Sequence, residues 1–197
     1  MPERVYLFDI DGTLTEPRQL IEPEIEDTFI DWVLSKNKKV YLVTGSDVEK
    51  TKEQLSEDLM DACLGVFTCS GNVFRQDDKI VYSNVFDPSE EFLEDLQLYL
   101  DNSQWRAKKG NHIERRPGMI NFSTVGRNAS HNMREAYARW DKANLEREDI
   151  VAYINETYPE LEVSIGGSIS VDIYPWGKNK GQVIETLREL HGDDVEM

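Results

Sequence analysis

Three short apolar runs punctuate the first seventy residues: Val5 to Phe8, Val40 to Val43, and the Leu64–Phe67 segment. Each stops at small polar residues, in "DIDGT", "TGSD" and "CSGN". Between the first two, Ile25, Phe29, Ile30, Val33 and Leu34 recur at helical spacing and predict a helix over 25–34. Between the second and third, "DVEKTKEQLSEDL" has helical composition and an acidic first turn. Strands without polar alternation must be covered on both faces, so strand, helix, strand, helix, strand reads as a parallel α/β sheet. In such sheets chemistry gathers at the carboxyl ends of the strands, here the three polar punctuation marks.

Near residue 83 the pattern changes. "DPSEEFLEDLQLYLDNS" predicts an amphipathic helix with Pro88 in its first turn. "QWRAKKGNHIERRPGMINFSTVGR" breaks into short alternating segments separated by Gly and Pro, the mark of antiparallel strands. "HNMREAYARWDKANLEREDIVAYINETY" reads as two helices, and "LEVSIGGSISVDIYPWG" as a hairpin around Gly166-Gly167. "NKGQVIETLRELHG" predicts a last helix, after which Val195 opens a strand. The organisation is therefore a discontinuous core, 1–82 and 175–197, interrupted by an inserted α+β module over 83–174. No internal repeat or low-complexity tract appears.

Composition narrows the class. The 197 residues are 39% hydrophobic and 10% aromatic, enough for a folded core. A net charge of −16 repels phosphate backbones and anionic lipid, which argues against nucleic-acid and membrane partners. Cys63 and Cys69 are the two cysteines, and no leader or long apolar run stands out. These features lead us to expect a reduced, cytoplasmic protein. His112, His131 and His191 are scattered without ligand spacing, so a histidine metal site is not expected.

Two features carry chemistry. Asp9 and Asp11 stand one residue apart at the end of the first apolar run, where mutual repulsion and lost hydration must be offset. A bound cation or a helix N-terminus would do so. A carboxylate can attack phosphorus to give an acyl phosphate, while a second one moves the proton of the entering or leaving oxygen. Magnesium would screen the approach of two anions and suits oxygen ligands. The blander alternative is an Asp-Gly turn capped by its aspartates. Thr44 or Ser46, ending the second run, offers a hydroxyl to a phosphate oxygen. Of Lys178 and Lys180 at the start of the last helix, Lys180 is preferred as the cation beside Asp9. Secondly, Arg115, Arg116, Arg127 and Arg134 lie within twenty residues of one another in an otherwise acidic chain, which concentrates positive charge where an anion should sit. For Arg134 and Arg139, simple solvation on a Glu-rich helix competes with that reading.

"DIDGT" after an apolar strand resembles the haloacid dehalogenase superfamily. "DIDGTLTEPRQ", "HIERRPGMINFSTVGRNASHNMR" and "SIGGSISVDIYP" resemble, in order along nearly the whole chain, the eukaryotic-type phosphomannomutases. The resemblance implies a Rossmann-like parallel-sheet core with an inserted α+β cap, acting as a homodimer through the cap. It implies interconversion of mannose 6-phosphate and mannose 1-phosphate, for GDP-mannose biosynthesis, with magnesium and a hexose 1,6-bisphosphate activator. Asp9 and Asp11 would be catalytic and would hold the metal, with Thr44, Ser46 and Lys180 around them. Arg18, Arg116, Arg127, Arg134, Ser170 and Asp172 would bind the small-molecule hexose phosphate. A sugar-phosphate phosphatase on the same scaffold is the alternative, since Thr44 replaces the usual mutase glycine and Pro117 and "WGKNKGQ" differ from mutase wording. A noncatalytic sugar-phosphate-binding protein is the other. The family pattern continues to a Gly-Asp and an acidic loop that complete the metal site, beyond Met197. Asp193 and Asp194 precede the strand opening at Val195, on the order of 15 Å from that position, and are not expected to substitute.

Overall fold

The computed structural model describes residues 3–197. The chain divides into two units, one running to Asn84 and resuming at Lys178, the other spanning Val85–Gly177. These joints fall a few residues after those the sequence suggests.

In the first unit, β1 (Val5–Phe8), β2 (Lys39–Val43) and β3 (Gly65–Thr68) pair in parallel, with Phe8 opposite Leu42 and Val43 opposite Phe67. Alternate side chains supply two different cores, which is why the runs are apolar throughout. Val40 and Leu42 face α1 (Pro23–Ser35) and α3 (Glu57–Ala62) through Phe29, Val33 and Leu59. Tyr41 and Val43 face α7 (Gln182–His191) through Val183 and Leu187.

Two departures from the predicted elements have local causes. The segment read as one helix after β2 is two, α2 (Val48–Gln54) and α3, broken at Leu55 and Ser56. Asp47 and Ser56 are N-caps whose side chains accept from the Lys50 and Leu59 amides, and a Ser satisfying a new helix start favours the break. The sheet is also not purely parallel. An antiparallel hairpin, β4 (Val73–Gln76) and β5 (Lys79–Ser83), extends it beyond β3. Its turn residues Asp77 and Asp78 both adopt positive φ, which aspartate tolerates better than most residues.

The second unit is a four-stranded antiparallel sheet in the order β6 (Ile113–Arg116), β7 (Met119–Phe122), β9 (Ser170–Pro175), β8 (Leu161–Gly166). Ile120, Phe122, Val171, Ile173 and Val163 share one face and pack on α4 (Glu90–Asn102) and α6 (Glu146–Thr157) through Phe92, Leu96, Ile150 and Ile154. Pro88 precedes helix α4 instead of lying in its first turn: Ser89 is the N-cap and its side chain accepts the Phe92 amide. Helix α5 (His131–Asn144) meets α6 at Leu145, which takes the left-handed conformation at φ 59°. The opposite sheet face carries Glu114, Arg116, Asn121, Ser170 and Asp172 by the same alternation.

Candidate active site

Asp9 follows β1 directly, so its carboxylate stands at the carboxyl end of the parallel strands. Its Oδ1 accepts the Ile10 amide at 2.8 Å and its Oδ2 pairs with Lys180 Nζ at 2.6 Å. Both side chains are about two-fifths exposed, so the pair is open to an incoming ligand. Asp11 is turned differently: its Oδ1 accepts from the Arg18 amide at 2.9 Å and from Gln54 Nε2 at 2.8 Å. Gln54, itself buried, also reaches Thr15 Oγ1, so the end of α2 fixes the loop after β1. The sequence reading did not single out Gln54.

Lys180 owes its place to two amide side chains, those of Asn72 and Gln182. Asn72 Nδ2 donates to the carbonyls of Cys69 and Lys178, and Gln182 Nε2 to those of Ser70 and Lys178, at 2.8–3.0 Å. These bonds tie the loop before α7 to the end of β3. At the end of β2, Thr44 is buried and its Oγ1 accepts the Ser46 amide at 3.1 Å, a turn-forming contact. Ser46 is the more accessible hydroxyl of the two. Both cysteines are buried, and burial pushes the Cys63 thiol up to about 12, far from nucleophilic use at neutral pH.

Among the described residues no three His, Cys, Asp or Glu side chains come together as a metal cage. Magnesium is commonly held by one or two carboxylates together with phosphate oxygens and water, and Asp9 with Asp11 fits that donor set. Asp193 and Asp194 do not add to it. Glu196 forms only an isolated parallel bridge with Arg4, and Val5 donates to the Glu196 carbonyl, so among the described residues the strand expected from Val195 does not form and the two aspartates lie towards the amino end of β1.

In the second unit the register of β6, β7 and β9 assembles a polar surface. Glu114 lies opposite Asn121, and Asn121 opposite Asp172. Arg116 donates to Glu114 Oε2 through Nη2 and through Nε, the latter at 2.9 Å, and Arg127 Nε approaches the same oxygen at 3.3 Å. Arg115 alternates to the other face and pairs with Asp87, which separates it from Arg116. Gly126, at φ +89°, brings Arg127 into place: an added Cβ would sit 2.1 Å from the Lys109 carbonyl oxygen. Arg134 donates to the carbonyls of Ala129 at 2.9 Å and Arg127 at 2.5 Å, so it braces the Arg127 turn rather than standing solvated. Asn121 Nδ2 reaches Ser170 Oγ at 3.1 Å and Asp172 Oδ1 at 2.6 Å. Arg18, by contrast, belongs to the first unit, where its main-chain amide serves Asp11. Glu114 and Asn121 are polar side chains on strands that alternate, and that alternation was the available signal for them.

The comparisons extend this picture. The chain is 34% identical to a phosphomannomutase of Triticum aestivum over 196 residues, 94% of this chain and 78% of that protein. The C-terminal domain of Candida albicans trehalose-6-phosphate phosphatase superposes with TM-score 0.64 at 21% identity, over 94% of this chain and 61% of that one. A haloacid dehalogenase-like hydrolase from Bacteroides thetaiotaomicron gives TM-score 0.64 at 14% identity, over 99% of this chain and 80% of that one. The fold is thus the haloacid dehalogenase type, an α/β core with an inserted α+β cap. The model of the eukaryotic phosphomannomutases matches residues 26–196, and the chain belongs to that family.

Proposed function

We propose that the protein is a phosphohexomutase that interconverts mannose 6-phosphate and mannose 1-phosphate through a phosphorylated aspartate. The observation that carries this reading is the Asp9–Lys180 pair at 2.6 Å at the carboxyl end of β1, with Asp11 two residues away. Asp9 attacks the phosphorus of a hexose 1,6-bisphosphate. A bond forms from its carboxylate oxygen to phosphorus, and the bond to the sugar oxygen breaks. Asp11 supplies the proton that the departing sugar oxygen takes up, and removes one from the hydroxyl that later receives the phosphoryl group. Lys180 neutralises charge on Asp9 and on the transferring group. Magnesium, held by Asp9 and Asp11 when bound, would supply electrostatic screening of the phosphoryl oxygens. Ser46 offers a hydrogen bond to them.

The cap supplies the other half of the work. Arg116 and Arg127 present guanidinium groups to the phosphate that is not transferred, while Ser170 and Asp172 meet sugar hydroxyls. Arg18 is assigned to substrate binding by its match to the family's nucleophile segment. The family resemblance further supports a cytoplasmic homodimer joined through its caps. No helix among the described residues is long and apolar enough to cross a membrane. A sugar-phosphate phosphatase is the second reading, favoured by the buried Thr44 and by the likeness of the fold to a trehalose-6-phosphate phosphatase.

The deciding experiment incubates the chain with mannose 1-phosphate, magnesium and catalytic hexose 1,6-bisphosphate, following mannose 6-phosphate and free phosphate together. Mannose 6-phosphate without phosphate is expected, and Asp9→Asn should abolish it while leaving hexose-phosphate binding intact. Phosphate release would replace the mutase with the phosphatase. Binding without either product would refute a catalytic role for this chain.

A further inference from the structure

Asn121 is the one polar side chain of the strand "MINF", and it is 3% exposed in the middle of the cap sheet. Its Oδ1 is buried without a hydrogen-bond partner among the described residues. An apolar residue would suit such a position better, since an unsatisfied amide oxygen costs stability that an aliphatic side chain would not. Its Nδ2 is fully used, however, and both bonds go to the pair assigned to the sugar, Ser170 Oγ and Asp172 Oδ1.

The surroundings show the same purpose. Ser170 donates its own hydroxyl proton to the Gly166 carbonyl at 2.9 Å, so towards Asn121 it acts as acceptor, which sets its lone pairs. Gly166 lies so near Asp172 that a Cβ there would fall 2.8 Å from Oδ2. One amide therefore holds two acceptors in a fixed orientation, and an absent side chain leaves room for the carboxylate beside them.

We propose that Asn121 is a positioning residue for sugar recognition: it orients Ser170 and Asp172 towards the hexose hydroxyls. The proposal rests on the assignment of the cap as a hexose-phosphate site. It makes Asn121 specific to the sugar half of the ligand, since Arg116 and Arg127 serve the phosphate.

Mannose 1-phosphate and inorganic phosphate are titrated calorimetrically into the full chain and into Asn121→Asp between pH 5 and 8, each variant compared with the native chain at the same pH. In Asn121→Asp the new carboxylate and Asp172 can share a proton at low pH but repel once it is lost. Mannose 1-phosphate affinity should then fall about tenfold or more relative to the native chain as pH rises to 8, and by more than that of inorganic phosphate, which meets only the added charge. Asn121→Ser, which adds no charge, provides a second reading should the aspartate variant not fold. It should weaken mannose 1-phosphate alone, at every pH. Unchanged affinities, or equal loss for both ligands, would overturn the proposal and leave the hexose-phosphate assignment standing. If the native chain binds inorganic phosphate but gains nothing from the sugar, the assignment of the cap to hexose phosphate falls, and this inference with it.

Discussion

Replacing Glu114 by Gln tests how the cap keeps two cations together in the absence of substrate. The Arg116 and Arg127 side chains are 5% and 12% exposed and meet on one Glu114 oxygen, itself on a side chain 22% exposed. Removing one partner of a fully buried pair costs about 3–5 kcal/mol, because a charge is left uncompensated. Gln retains an acceptor oxygen and the site is not fully dry, so the loss should approach that of charge-assisted hydrogen bonds, about 1.5–3 kcal/mol. With a urea m-value of about 2 kcal/mol/M, the midpoint should fall by about 1 M. The variant cluster carries one more net positive charge, so inorganic phosphate should stabilise Glu114→Gln more than the native chain. Saturation at a hundred times Kd would return about 2.7 kcal/mol, close to the whole deficit. Urea unfolding followed by circular dichroism, with and without phosphate, reads both effects. A midpoint that does not move, or phosphate stabilisation equal in the two proteins, would refute the view that Glu114 is the resting counter-ion of the arginine pair.

Gly126→Ala should destabilise the cap by more than about 1 kcal/mol, since the positive φ and the 2.1 Å approach to the Lys109 oxygen both resist a Cβ; an unaltered melting temperature would contradict the turn geometry. The Cys63 thiol should resist alkylation in the folded protein at pH 8 and react in denaturant, which mass spectrometry of the labelled peptide can follow. Linkage gives the sign of its pH effect. The unfolded thiol ionises near 9 and the folded one only at about 12, so between these values the folded state holds the extra proton and stability declines as pH rises. Cys63→Ala should lessen that alkaline decline in unfolding free energy, and an identical slope would remove Cys63 as its source.

The sequence by itself determined the layers and the ends. Continuous apolar runs at Val5–Phe8 and Val40–Val43 can be buried only between two helical layers, which is how α1 and α7 enclose them. The polar stops of those runs likewise announce Asp9, Asp11 and Ser46, because a parallel strand ends where its loop must face a site. Lys180 was legible from charge placed before a helix. Tertiary structure alone decided the supports. That Gln54 holds Asp11, that Asn72 and Gln182 hold the Lys180 loop, and that Arg134 braces Arg127 depends on distances between remote segments, and no local spacing records those. The same holds for the face each residue takes: Arg115 and Arg116 are indistinguishable as letters, but strand register sends one to Asp87 and the other to Glu114. Periodicity constrains which residues share a side, whereas only the paired sheet decides which partners stand opposite them.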